Sequence, residues 1–140
     1  MSKLERTLIL VKPDGVERGL VGEVIRRFES RGLRLCGLKI VRPEKALVET
    51  HYAEHAGKPF YDALVDYLLS GPVVAMALEG ENAIKACRAT MGVTNAADAA
   101  PGTIRGDYAL SIEKNIVHGS ADAESASREL AVWFGAGEMV

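Results

Sequence analysis

His118 is the residue whose setting most invites chemistry. It lies in Asn115-Ile-Val-His-Gly-Ser120, where an apolar pair carries it to the end of a short strand. Gly119 permits close approach of another group, and Ser120 or Asp122 can cap the helix that follows. A neutral imidazole nitrogen can attack an electrophile near physiological pH, provided a partner orients the other nitrogen. Glu129, on the following helix and on one stripe with Asp122 and Ser125, can fold back to do this. A histidine before a helix is also often a structural hydrogen-bonder, and spacing leaves both roles open. Three cations extend the pattern: Lys12 at a strand end, Arg88 late in a helix and Arg105 in a long loop. Each alone reads as a solvated surface charge. Together, arginine forks and a lysine point charge suit the charge spread over a transferring phosphoryl group.

Other motifs carry less. No GxxxxGK[ST] is present, so the chain has no P-loop, and Gly135-Ala136-Gly137 has no helix after it to make a dinucleotide fingerprint. Asp14-Gly15 lies outside any kinase DFG context. His51-Tyr-Ala-Glu54-His55 matches H-x-x-E-H, whose histidines would share a helix face and could ligate zinc with Glu54 as general base. The reading we prefer for these residues is a partly exposed helix surface.

Positioning such residues requires a compact frame. Thr7 to Val11 is a continuous apolar run, expected of a strand buried on both faces, and Lys12-Pro13-Asp14-Gly15 stops it. Val21, Val24, Ile25 and Phe28 line one face of a helix closed by Gly32. Leu33 to Val41 reads as a second strand, and Pro43 as the opening of a helix. Further helices are expected over about 61–69, 81–91 and 122–134, with strands over 73–78 and near Ile116-Val117. The order is that of a ferredoxin-like split βαβ sandwich, an α+β fold with a four-stranded antiparallel sheet. Gly92 to Ser111 shows no period; so long an irregular loop in a compact domain is usually functional or disordered, and we read it as functional.

Composition bounds the rest. The 140 residues, 48% hydrophobic and 26% charged, suit one domain spanning 1–140 and exclude disorder, collagen and coiled coil. A net charge of -2 argues against a nucleic-acid coat but leaves room for a small anionic ligand. No run approaches the ~20 apolar residues that span a bilayer, and the apolar stretch after Met1-Ser-Lys-Leu-Glu-Arg6 is too brief for a signal peptide. Cys36 and Cys87 read as buried reduced thiols, so a cytoplasmic protein without membrane association is expected.

Nearly end to end, the chain resembles the nucleoside diphosphate kinases. The stretches that carry the likeness are Arg6-Thr-Leu-Ile-Leu-Val-Lys-Pro-Asp-Gly15, His51-Tyr52, Lys58-Pro-Phe60, Ser70-Gly-Pro-Val-Val-Ala-Met76, Pro101-Gly-Thr-Ile-Arg-Gly-Asp107 and Asn115-Ile-Val-His-Gly-Ser120. The resemblance implies a ping-pong transfer of the γ-phosphoryl group of a nucleoside triphosphate, mainly ATP, to a nucleoside diphosphate. It puts His118 at the phosphorylated histidine, with Nδ1 attacking, Glu129 on the other ring nitrogen and Ser120 in support. Lys12 matches the contact to γ-phosphate and ribose, with Tyr52 beside the histidine. Arg88, Thr94 and Arg105 match phosphate contacts, Asn115 the sugar contact and Phe60 the ring under the base. Magnesium would arrive bridging the nucleotide phosphates, with no metal-ligating residue on the protein. A homo-oligomer is implied, a hexamer in preference to a tetramer. Two departures stand out: Ala121-Asp122 where many members carry Asp directly after His-Gly-Ser, and Ile112-Glu113 where Val-Gly is frequent. Two other classes compete: a nucleotide-binding sensor or assembly module, which would need no nucleophile, and the zinc hydrolase at His51 and His55.

Overall fold

The computed structural model describes residues 4–140; Met1, Ser2 and Lys3, the start of the stretch weighed as a signal peptide, lie outside the described residues. Strands β1 (Leu4–Val11), β2 (Arg34–Val41), β3 (Val73–Glu81) and β4 (Val117–Gly119) form one sheet in the order β2-β3-β1-β4, with every pairing antiparallel. Helices α1 (Pro13–Glu17), α2 (Val21–Ser30), α3 (Lys45–His51), α4 (Tyr61–Leu69), α5 (Ala83–Met91), α6 (Ile104–Tyr108) and α7 (Ala123–Trp133) complete the chain. This is the ferredoxin-like α+β sandwich that the element order predicts.

The apolar run of β1 is continuous because each face of the sheet is covered. Ile9 and Val11 join Val24 and Phe28 of α2 and Cys87 and Met91 of α5. Leu8 and Leu10 join Val48 of α3, Val65 and Leu68 of α4, and Leu130 and Trp133 of α7. Strand period two thus survives inside a run that looks unpatterned. No helix among the described residues is long and apolar enough to cross a membrane.

Several local expectations need correction. Pro43 precedes α3 rather than opening it, because Glu44 is the N-cap. Glu81 ends β3 instead of starting a helix, and Asn82, in the left-handed region at φ 52°, makes the turn into α5. The stretch Gly92 to Ser111 is not without structure: it holds a 3-10 turn (Ala96–Asp98) and α6, both too short to show a helical period. Ile116 is not strand. Its φ of 73° and the Val117 N–H donating to Asn115 O at 2.8 Å make a γ-turn, a costly conformation for a β-branched residue.

Candidate active site

Strand register decides which way His118 faces. His118 pairs with Leu10 and Val117 with Val11, so His118 shares the Leu10 face, toward α3 and α7, while Val117 joins the opposite cluster. A one-residue slip would turn His118 to the other side. It is the middle residue of β4 rather than its end. The γ-turn at Ile116 fixes that register: Asp14 Oδ2 accepts the Ile116 N–H at 3.1 Å, and Lys12 N–H donates to Ile116 O at 2.7 Å. Sequence reasoning gave Asp14 no part in the site beyond stopping the strand and belonging to the Arg6–Gly15 stretch.

Helix α7 supplies the partner. Its inward stripe, Ala126, Glu129, Leu130 and Trp133, follows i, i+3, i+4, i+7 spacing, so Glu129 is a carboxylate on a buried face, 3% exposed. Glu129 Oε1 accepts from His118 Nε2 and from Ser120 Oγ, each at 2.8 Å. Burial raises the Glu129 carboxyl, but these hydrogen bonds and the neighbouring histidines more than offset it and hold it below its ordinary value. An ionised acceptor at Nε2 puts the ring proton there and leaves the Nδ1 lone pair free. Asp122, the neighbour of Ala121, is committed to capping α7 by accepting the Ser125 N–H at 2.8 Å.

The cations gather without ion pairs. Lys12 Nζ donates to Asn115 Oδ1 at 2.9 Å, and Asn115 Nδ2 donates to the Thr94 carbonyl at 2.9 Å. Arg88 donates to Gly119 O at 3.2 Å, next to His118. The Arg105 side chain, 4% exposed, donates to the carbonyls of Gly92, Asn115 and Val117. Among the described residues, none of these three cations makes an ion pair within 4.0 Å. Burial and the charge of Arg105 bring Lys12 down to about 8, with Asp14 opposing; burial and Arg88 bring Arg105 down to about 10. Cations hydrogen-bonded to carbonyl and amide oxygens and free of ion pairs, one of them (Arg105) buried, are poised for an anion.

Aromatic rings continue the site. The His51 ring stands 4.7 Å from that of His118 and 4.7 Å from that of Tyr52, each edge-on. Burial and the Glu129 charge raise the Tyr52 phenol to about 12, so it stays a donor. Phe60 is 48% exposed at the start of α4, 5.3 Å from the His55 ring, which is 6.2 Å from Tyr52.

The H-x-x-E-H reading fails on geometry. Helix α3 ends at His51, and His55 lies on a 3-10 turn (Ala53–His55), so the two share no helix face. Nor is His51 partly exposed, as the preferred surface reading has it; it is 1% exposed, in the core. Sequence reasoning singled out this residue only as a zinc ligand or helix-surface group and as part of the His51-Tyr52 stretch, and missed its burial against His118. His51, His118 and Glu129 do bring ligand atoms within 4.8 Å of one another. Yet the Trp133 indole N–H donates to His51 Nδ1 at 3.1 Å, which puts the His51 proton on Nε2 and leaves no free lone pair for zinc.

Comparisons with known proteins identify the family. The family model described as "Nucleoside diphosphate kinase" matches residues 5–139. A protein of that name from Heliobacterium modesticaldum is 56% identical over 137 residues, 98% of this chain and 92% of its own length. Another, from Caldanaerobacter subterraneus, is 57% identical over 131 residues, 94% of each chain. The solved structure of a halophilic nucleoside diphosphate kinase from Halobacterium salinarum, in complex with CDP, aligns with a TM-score of 0.95 and 48% identity, covering 99% of this chain and 92% of that one. With a family match across nearly its whole length, and relatives this similar to it, the chain belongs to the nucleoside diphosphate kinase family.

Proposed function

We propose that the chain carries out its family's reaction, nucleoside diphosphate kinase phosphotransfer, in two steps through His118. In the first, the Nδ1 lone pair forms a bond to the γ-phosphorus of a nucleoside triphosphate, mainly ATP. The bond from that phosphorus to the β-γ bridging oxygen breaks, and the electron pair leaves with the diphosphate. In the second, a terminal oxygen of a different nucleoside diphosphate attacks the phosphohistidine and the N–P bond breaks. The observation that carries this reading is the 2.8 Å bond from His118 Nε2 to Glu129, which leaves Nδ1 as the nucleophile and offsets the positive charge developing on the ring. Ser120, donating to the same carboxylate oxygen, holds it in place.

Lys12, Arg88 and Arg105 take the phosphates with Thr94; Lys12 and Asn115 reach the sugar; Tyr52 stands beside the phosphorylated ring; Phe60 packs against the base. Stacking on an exposed ring reads no base edge and so tolerates many bases. Magnesium arriving with the nucleotide would supply positive charge to the phosphates. The protein's donors do not fit a magnesium cage, since Glu129 and Asp122 are already hydrogen-bonded and Lys12, Arg88 and Arg105 are cations, so the ion enters on the nucleotide.

Residues 1–140 act as one domain, in the cytoplasm, which two buried free cysteines favour. The chain assembles into a homo-oligomer, a hexamer rather than a tetramer.

The test is the intact mass after brief mixing with ATP and magnesium, without acceptor and away from acid. The expected result is a gain of one phosphoryl group, lost on adding GDP and absent in His118→Ala. Nucleotide binding without any such gain would withdraw the nucleophile role.

A further inference from the structure

The transfer mechanism leaves unused a buried polar group that packs against the nucleophile. His51 ends α3 with 1% of its surface exposed, and its Nε2 has no hydrogen-bond partner among the described residues. Buried polar atoms without partners are rare, and one that touches a nucleophile calls for an account. Trp133 is a donor only, so its contact to Nδ1 makes His51 the Nε2–H tautomer whenever the ring is neutral. Burial and the proximity of His118, Arg128 and Lys12 oppose protonation, while Glu129 favours it; the balance is a value of about 3. His51 is therefore a neutral ring of fixed orientation at any working pH.

What it does follows from how His118 is held. One hydrogen bond from Nε2 to Glu129 defines an axis and leaves the imidazole free to swivel about it. Swivelling carries Nδ1 off line, and misplacing a reacting atom by about 1 Å can cost about a hundredfold in rate. The His51 ring packs edge-on to His118, 79° between planes, on the face that α3 presents to β4. Trp133 holds that ring from the next inward turn of α7 after Glu129, so one helix face supplies both anchors, one to each histidine.

We propose that His51, pinned by Trp133, is a positioning residue for phosphoryl transfer: its ring sets the plane of the His118 imidazole so that Nδ1 stays aimed at the terminal phosphorus. This rests on the reading of His118 as nucleophile.

The experiment is single-turnover phosphorylation by saturating ATP and magnesium, followed by intact mass, beside nucleotide binding and nitrogen-detected NMR of the histidine rings. His51→Ala is expected to slow phosphorylation about tenfold or more while nucleotide affinity stays within about twofold. His51→Phe, which keeps a ring against His118, is expected to recover most of that loss. Wild-type His51 should show the neutral Nε2–H pattern from about pH 5 to pH 8, and Trp133→Phe should mix the tautomers and slow transfer. Should His51→Ala fail to fold, the Trp133→Phe rate and spectrum decide alone. An unchanged rate in the folded variants, or a rate loss matched by lost nucleotide affinity, overturns the proposal. If the wild type gains no phosphoryl group on His118, the nucleophile reading falls and this inference with it; a normal wild type with an unaffected His51→Ala overturns only the inference.

Discussion

Lys12 meets an amide oxygen rather than a carboxylate, in a buried setting beside a second cation. Both burial and Arg105 disfavour its charge, so its ionisation falls at about 8 instead of the ordinary lysine range. The sign of the consequence is fixed. In the free enzyme the ammonium is lost as pH rises through that value, and with it one of the charges meant for the phosphates. Since kcat/KM reports ionisations of the free enzyme, an alkaline decline centred near pH 8 is expected. Lys12→Arg stays charged and should move that decline upward even if its longer, planar group lowers the rate. An alkaline limb unchanged between the two proteins would show that another group is titrating.

At the level of the elements, the segment between α5 and β4 behaves as a clamp more than as a loop. Arg105 ties its two ends by donating to Gly92 on one side and to Asn115 and Val117 on the other. The outer flank is fastened to α2 by Arg27, which donates to Gly102 O and pairs with Glu23 and Asp107. Gly106 completes the fit: a Cβ there would lie 1.9 Å from the Ala100 carbonyl oxygen, so only glycine allows α6 to pack so closely. Read from sequence, Arg105 is a phosphate contact alone; in the fold it is also a structural group. Arg105→Ala should therefore lower kcat/KM and also cost roughly 3 kcal/mol of stability, seen as a lower denaturant midpoint, because three carbonyls lose a charged donor. Arg88→Ala, which gives up a single carbonyl contact, should lose rate with little change in midpoint. A midpoint unmoved by Arg105→Ala would show that the carbonyl contacts carry no net stability.

The molecule as a whole leaves apolar surface that a lone chain has no use for. Strand β2 is an edge of the sheet, with Leu38 50% and Ile40 65% exposed, and Leu110 near the end of the clamp segment is 91% exposed. Unpaired edges and bare apolar side chains are features that natural proteins usually cover. Sedimentation at micromolar concentration is expected to give a mass near six times 15.0 kDa. A single-chain mass would remove the proposed assembly, and a fourfold mass would replace the hexamer by a tetramer.

Much of this architecture is legible in the residues alone. The order of apolar runs, the helix stripes of α2, α5 and α7 and the Gly32 stop are local periodicities, readable because each depends on neighbours three or four residues apart. His118, Glu129 and the three cations are likewise legible as types, and Asn115 to Ser120 as a motif. The remainder depends on pairs far apart in the chain, and folding alone brings these together. The Leu10–His118 register selects the face on which the nucleophile meets Glu129. The contact of Asp14 with Ile116, 102 residues away, holds a backbone conformation that no propensity favours. The separation of 82 positions between His51 and Trp133 hides a buried, tautomer-locked ring behind what reads as an exposed helix end. Local pattern reports on which side of an element is buried; what it is buried against belongs to the fold.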